Sequence, residues 1–97
     1  MGWDILSQFS IQDYFQHLAS KGIKLKESDT AFIEFGKQFT GMSDYMVSIS
    51  IEITLKVQRE FDGSYYIALL EGFKENNITT KKKAYAYVNY LELELTV

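Results

Sequence analysis

Between Tyr45 and Phe61 the chain reads YMVSISIEITLKVQREF, and Tyr45, Val47, Ile49, Ile51, Ile53, Leu55 and Val57 alternate with Ser48, Ser50, Glu52, Thr54, Lys56 and Gln58. Apolar and polar positions that alternate singly predict a β-strand with one face on a core and the other open to solvent or to a partner. At about 3.3 Å per residue the run would reach roughly 50 Å, against a usual strand length of about 17–20 Å. The strand reading therefore needs a bulge, or an end that projects from the body and pairs in another molecule.

Upstream, FSIQDYFQHLASKGI (residues 9–23) predicts a helix specified at both ends. Ser10 is the N-cap, Asp13 completes a capping box and Phe9 staples against Tyr14. Gly22 supplies the left-handed C′ residue and Ile23 reaches Leu18 as in a Schellman motif. Ile11, Tyr14, Phe15 and Leu18 form the apolar stripe that packs on the sheet. Residues 3–8 read as a short helical turn or an arm. TAFIEF predicts a short strand at about 30–36, Gly36 ends it, and GKQFTGMSD reads as a loop into the long strand.

After Asp62-Gly63 two readings stand. A two-residue turn would return SYYIALLEGF as a strand. Alternatively Asp62-Gly63 caps a helix at about 64–76, with Tyr66, Leu69, Leu70 and Phe73 on one face and Asn76-Asn77 as the exit. The helix is preferred, because a returning strand would set Ile67 and Leu69 beside polar Gln58 and Lys56. ITTKKK reads as a polar loop. AYAYVNYLELELTV predicts a last strand with Tyr85, Tyr87, Leu91, Leu93 and Leu95 on one face; the other face changes from Ala86, Val88 and Tyr90 to Glu92, Glu94 and Thr96.

Together these elements predict a single α+β domain over residues 1–97: an antiparallel β-sheet with long strands, packed by an N-terminal helix and a second helix. Its expected core is Ile49, Ile51, Ile53, Leu55, Val57, Leu91, Leu93 and Leu95 under Ile11, Phe15 and Leu18. A chain of 97 residues has room for one modest core. Hydrophobic content of 46% with 24% charged residues is that of a folding, non-disordered chain. Aromatic residues make up 15%, with seven Tyr and seven Phe, which is high for so small a core and points to rings on a partner-facing surface.

Charge and chemistry then narrow the function. A net charge of −3 lacks the basic footprint of nucleic-acid binding. The absence of cysteine removes disulfides, thiolate nucleophiles and Cys-ligated metals and fits a reducing, cytoplasmic compartment. MGWDILSQF has neither the basic region of a signal peptide nor a long apolar run, and Leu6 departs from the myristoylation pattern, so no membrane role is expected. His17 one turn after Asp13 has the spacing of an acid-base pair, but an exposed helix residue beside a carboxylate explains it as well. One imidazole without cysteine is a poor start for a transition-metal site. A Ser-His-Asp arrangement has no nucleophile-elbow context. Glu92 and Glu94 share a strand face, as an alternating half-solvated strand also requires. Lys81–Lys83 lack interleaved aromatics in their loop, and no phosphate loop, EF-hand or dinucleotide fingerprint occurs.

These readings predict no enzyme, no cofactor and no small-molecule substrate. What remains is a protein interface on the polar face of the long strand and on tyrosines: Tyr45, Ser48, Ser50, Glu52, Thr54, Lys56, Gln58, Tyr85, Tyr87 and Tyr90, with sheet extension across subunits as its form.

The predicted order is helix, short strand, long strand, helix, long C-terminal strand. EFDGSYYIALLEGF enters the second helix and AYAYVNYLELELTV closes the chain. In that order the sequence resembles the tail-terminator or tail-completion proteins of long-tailed bacteriophages. The resemblance implies a virion-associated, homo-oligomeric ring at the end of a tail tube. The alternative is a small acidic inhibitor, an immunity or anti-defence protein, that blocks one target by surface complementarity. The two differ in self-association.

Overall fold

The alternating run folds as a helix. A computed structural model describes residues 10–96 and the side chains of residues 10–91, and among these there are five helices and no strand. They are α1 (Ile11–Ser20), α2 (Glu27–Thr40), α3 (Asp44–Gln58), α4 (Gly63–Glu75) and α5 (Lys81–Thr96). The α+β fold with an antiparallel sheet is therefore corrected to a helical bundle. The strand order behind the likeness to tail-terminator proteins is absent from the described residues.

α3 explains why the alternation misleads. It touches each of the other four helices, and Met46 to Ile51, Ile53 and Thr54 are all buried. From Met46 to Ile51 the helix is enclosed on every side and has no wet face, so its apolar residues need not recur at i, i+3 and i+4 there. The interleaved hydroxyls are accommodated locally. Ser50 Oγ donates to the Met46 carbonyl at 2.9 Å and Thr54 Oγ1 to the Ser50 carbonyl at 2.7 Å, which satisfies buried polar groups within the helix. At about 1.5 Å per residue the element is also of ordinary length, which it was not as a strand.

The segment read as a loop after Gly36 is the junction of two helices. Gly41, at φ 71°, ends α2 in the left-handed conformation, and Ser43 caps α3 by accepting from the Met46 N–H at 3.2 Å. The short strand at 30–36 lies within α2, and the C-terminal strand is α5, whose first turn is held by Thr80 Oγ1 accepting from the Lys83 N–H at 3.2 Å.

α1 and α4 form where the sequence places them. Ser10 Oγ accepts from the Asp13 N–H, and the Ser10 N–H donates to Asp13. Gly22 sits at φ 83°, and the Ile23 N–H reaches the Leu18 carbonyl at 2.9 Å. The Phe9 staple and the turn or arm at residues 3–8 lie outside the described residues. Asp62 caps α4 by accepting from the Tyr65 N–H at 3.1 Å, and the exit passes through Asn77 at φ 54°. Of the expected core, Ile11, Leu18, Ile49, Ile51 and Ile53 are buried, Phe15 and Leu55 are half-buried, and Val57 and Leu91 are exposed. Leu93 and Leu95 lie outside the described side chains. Tyr66, Leu70 and Phe73 of α4, outside the expected core, are fully buried and belong to the observed one.

Asp44 joins three of these elements at one point. Its Oδ2 accepts from the Ile11 N–H at 3.2 Å and its Oδ1 pairs with Lys37 Nζ at 2.9 Å. The start of α1, the end of α2 and the start of α3 are thereby tied together, and the ammonium of Lys37 is held above its ordinary pKa, first by this hydrogen bond and then by the charge of Asp44.

Candidate functional site

The residues expected at the interface do not form one surface, although Glu52, Lys56 and Tyr85 meet. Ser48, Ser50 and Thr54 are fully buried inside α3 and reach no partner. Tyr45, Tyr85 and Tyr87 are partly buried against the core, and Tyr87 meets Phe73 edge to face at 5.8 Å. Lys56 and Gln58 are exposed at the end of α3, and Tyr90 is 60% exposed on α5. Sheet extension is corrected with the sheet.

Glu52 does lie at a chemically distinct place, a cleft of about 350 Å³ between α1, α3 and the start of α5. Its Oε1 faces Lys56 Nζ at 3.3 Å and Lys81 Nζ at 3.4 Å. Its Oε2 is buried without a hydrogen bond. Lys56 also donates to Tyr85 Oη at 3.0 Å and stands 5.1 Å from the centre of that ring. Those contacts, Tyr85 first, raise the pKa of the lysine. Burial, with the charges of Glu52 and Tyr85 adding to it, pushes the Tyr14 hydroxyl well above the usual phenol range. Leu18, Ile23 and Leu55 form the apolar wall, and His17 and Lys21 complete the rim.

His17 stacks on Tyr14 at 6.2 Å between ring centres, and Asp13 completes the capping box at the N-terminus of α1. Lys81 belongs to the cleft through Glu52, and Lys82 and Lys83 are exposed in the first turn of α5. Glu92 and Glu94 lie outside the described side chains. Among the described residues no group of three or more His, Asp or Glu side chains is arranged to hold a metal ion, and no helix is long and apolar enough to cross a membrane.

The second feature is one that sequence reasoning missed. On α2, Phe35 is 57% exposed and Phe39 59% exposed. Their rings stack, 5.7 Å apart and 13° from parallel, and Phe32 continues the row at 6.1 Å from Phe35. Behind them α2 lies against α4. Phe32 packs over Gly63, Tyr66 and Ile67 pack over Gly36, and Phe39 stands beside Glu71 and Lys74, so the two helices run in the same direction. A Cβ at Gly36 would come within 2.8 Å of Tyr66 Cε2. That ring is pinned by its hydroxyl, which donates to the Ile33 carbonyl at 2.8 Å. The close seam leaves no room for Phe35 and Phe39 between the helices, and they stand on its outer flank. Beside Phe39 a groove of about 510 Å³ is lined by Thr40, Glu71, Lys74 and Glu75.

The spacing of three and then four residues in Phe32, Phe35 and Phe39, and in Ile33, Gly36 and Thr40, is the helical signal that finds this face. The strand reading divided it between an element and a loop.

A family model described as "Family of unknown function (DUF6123)" matches residues 6–94. No curated protein and no solved structure matches the chain.

Proposed function

The chain belongs to this DUF6123 family, and from that premise we propose a function read from its own surface: a non-enzymatic protein-binding and assembly module whose contact face is the α2 ridge of Phe32, Phe35 and Phe39. The observation that carries the reading is the stacked, outward-facing pair Phe35 and Phe39, more than half exposed on a chain with an enclosed core. Burying a phenylalanine side chain is worth about 1.5–3 kcal/mol, so leaving two in water on adjacent turns forgoes a gain that a partner can recover. Aromatic anchors with a polar rim are the usual make-up of a protein contact. The rim here is Glu71, Lys74 and Glu75. A single histidine and no cysteine support the non-enzymatic part, and the net charge of −3 favours a protein over a nucleic acid.

The test is a photo-crosslinking side chain placed at Phe35, compared with the same probe at exposed Asn89. The ridge reading expects a discrete protein adduct from position 35 and none from position 89. Equal labelling at both, or no adduct at position 35, removes it. An adduct with one different protein and none with a second copy favours the one-target inhibitor over self-assembly.

A further inference from the structure

The ridge face and the α1–α3–α5 cleft are complementary in both shape and charge. The ridge projects two stacked rings, and its groove carries two carboxylates, Glu71 and Glu75, against one lysine. The cleft is concave, with Leu18, Ile23 and Leu55 as its wall, and carries Lys21, Lys56 and Lys81 against the single carboxylate of Glu52. At about 350 Å³ it is at the small end of the range for small-molecule sites, roughly 300–1,000 Å³, and its size suits inserted side chains. Ile23, at its edge, is itself 37% exposed. The two faces are built from different helices, so a single copy can offer both at once.

We propose that a second copy of this chain is the occupant: the ridge of one molecule docks head to tail into the cleft of the next. Phe35 and Phe39 cover the apolar wall, and Glu71 and Glu75 meet Lys21 and Lys81. This inference rests on the reading of the ridge as a contact face. Local charge decides it, because at physiological salt charges farther apart than about 8 Å are largely screened and the net −3 of each copy weakens only the long-range approach. A contact between two different faces does not close on itself as a two-fold dimer does. It propagates into a ring or an open chain.

The experiment is light scattering on a sizing column over a range of protein concentrations, with two variants that each disable one face. Phe35→Ala/Phe39→Ala keeps the cleft, and Lys21→Glu/Lys81→Glu keeps the ridge. Wild type is expected to grow in mass with concentration beyond a dimer, and to shrink as salt rises. Each variant alone is expected to be a monomer. An equimolar mixture is expected to give a one-to-one dimer that grows no further, since it contains one working ridge and one working cleft. Because Lys81 pairs with Glu52, Lys21→Glu alone serves as the cleft variant should the double substitution lose its helical circular dichroism.

A monomeric wild type overturns the inference, as does a mixture that stays monomeric. If the cleft variant assembles like wild type while the ridge variant does not, the self-docking inference fails and the ridge reading stands. If the ridge variant assembles like wild type, the ridge reading itself fails.

Discussion

At the scale of single residues, the buried tyrosines couple stability to alkaline pH. Burial first, and then the charge of Glu34, raises the Tyr66 hydroxyl above its ordinary pKa of 10.0; burial and Glu52 do the same for Tyr14. A folded-state pKa above the unfolded one means that the folded state retains its proton as the unfolded state loses it. The contribution is complete below pH 10 or so and declines as pH rises beyond it. Tyr66→Phe is expected to cost about 1–2 kcal/mol near pH 7, since it removes a buried hydrogen bond to the Ile33 carbonyl. The deficit should narrow at pH 11, where phenylalanine has no proton to lose. Urea unfolding at the two pH values checks this, and a gap that widened would refute it. Ser48 presents the opposite case. Its hydroxyl is fully buried with no hydrogen-bond partner, so Ser48→Ala is expected to stabilise by about 1 kcal/mol, a rise of roughly 4–8 °C in Tm by calorimetry. Ser50→Ala, whose hydroxyl is satisfied by the Met46 carbonyl, should lack that gain.

At the scale of elements, what could be read depended on whether a helix has capped ends and a wet side. α1 and α4 were legible because Ser10, Gly22 and Asp62 mark their ends and polar residues mark their outer faces. α3 was not, because enclosure removed its amphipathic stripe and left a β-branched alternation that reads equally as a strand. Its length was the contrary evidence, together with Gly41 and Ser43 standing as stop and start signals in GKQFTGMSD. The candidate site suffered accordingly. Of the residues expected at an interface, Lys56, Gln58 and Tyr90 are exposed, Ser48, Ser50 and Thr54 are buried, and the exposed Phe35 and Phe39 were missed. The central place of α3 is testable by Ser50→Pro, which breaks a helix interior at about 3 kcal/mol or more and, at a fully buried position, should abolish the cooperative melt. The α2–α4 seam is testable by Gly36→Ala. Alanine gains about 1 kcal/mol of helix propensity, but overpacking against the pinned Tyr66 ring costs typically 1–3 kcal/mol. A net loss of about 1 kcal/mol is expected in urea unfolding, and a stabilised variant would show that α4 slides freely along α2.

At the scale of the whole molecule, the enclosed helix and the exposed ridge separate folding from association. α3 contacts every other helix, so a cavity in it weakens the entire bundle. Ile51→Ala, at a position 0% exposed, is expected to cost about 2–5 kcal/mol, a large part of the roughly 5–15 kcal/mol that holds a domain of this kind together. Phe35→Ala/Phe39→Ala removes a surface ring pair worth only about 0.2–0.5 kcal/mol, and alanine returns a similar amount in helix propensity. Its melting temperature at low protein concentration should therefore stay within a few degrees of wild type. At high concentration the two should diverge, because association stabilises only the chain that can bind. Scanning calorimetry at two concentrations reads both quantities. A wild-type Tm that climbs with concentration, beside a ridge variant whose Tm does not, places the exposed phenylalanines in assembly and outside the stability of the fold. Parallel behaviour of the two would assign them to neither.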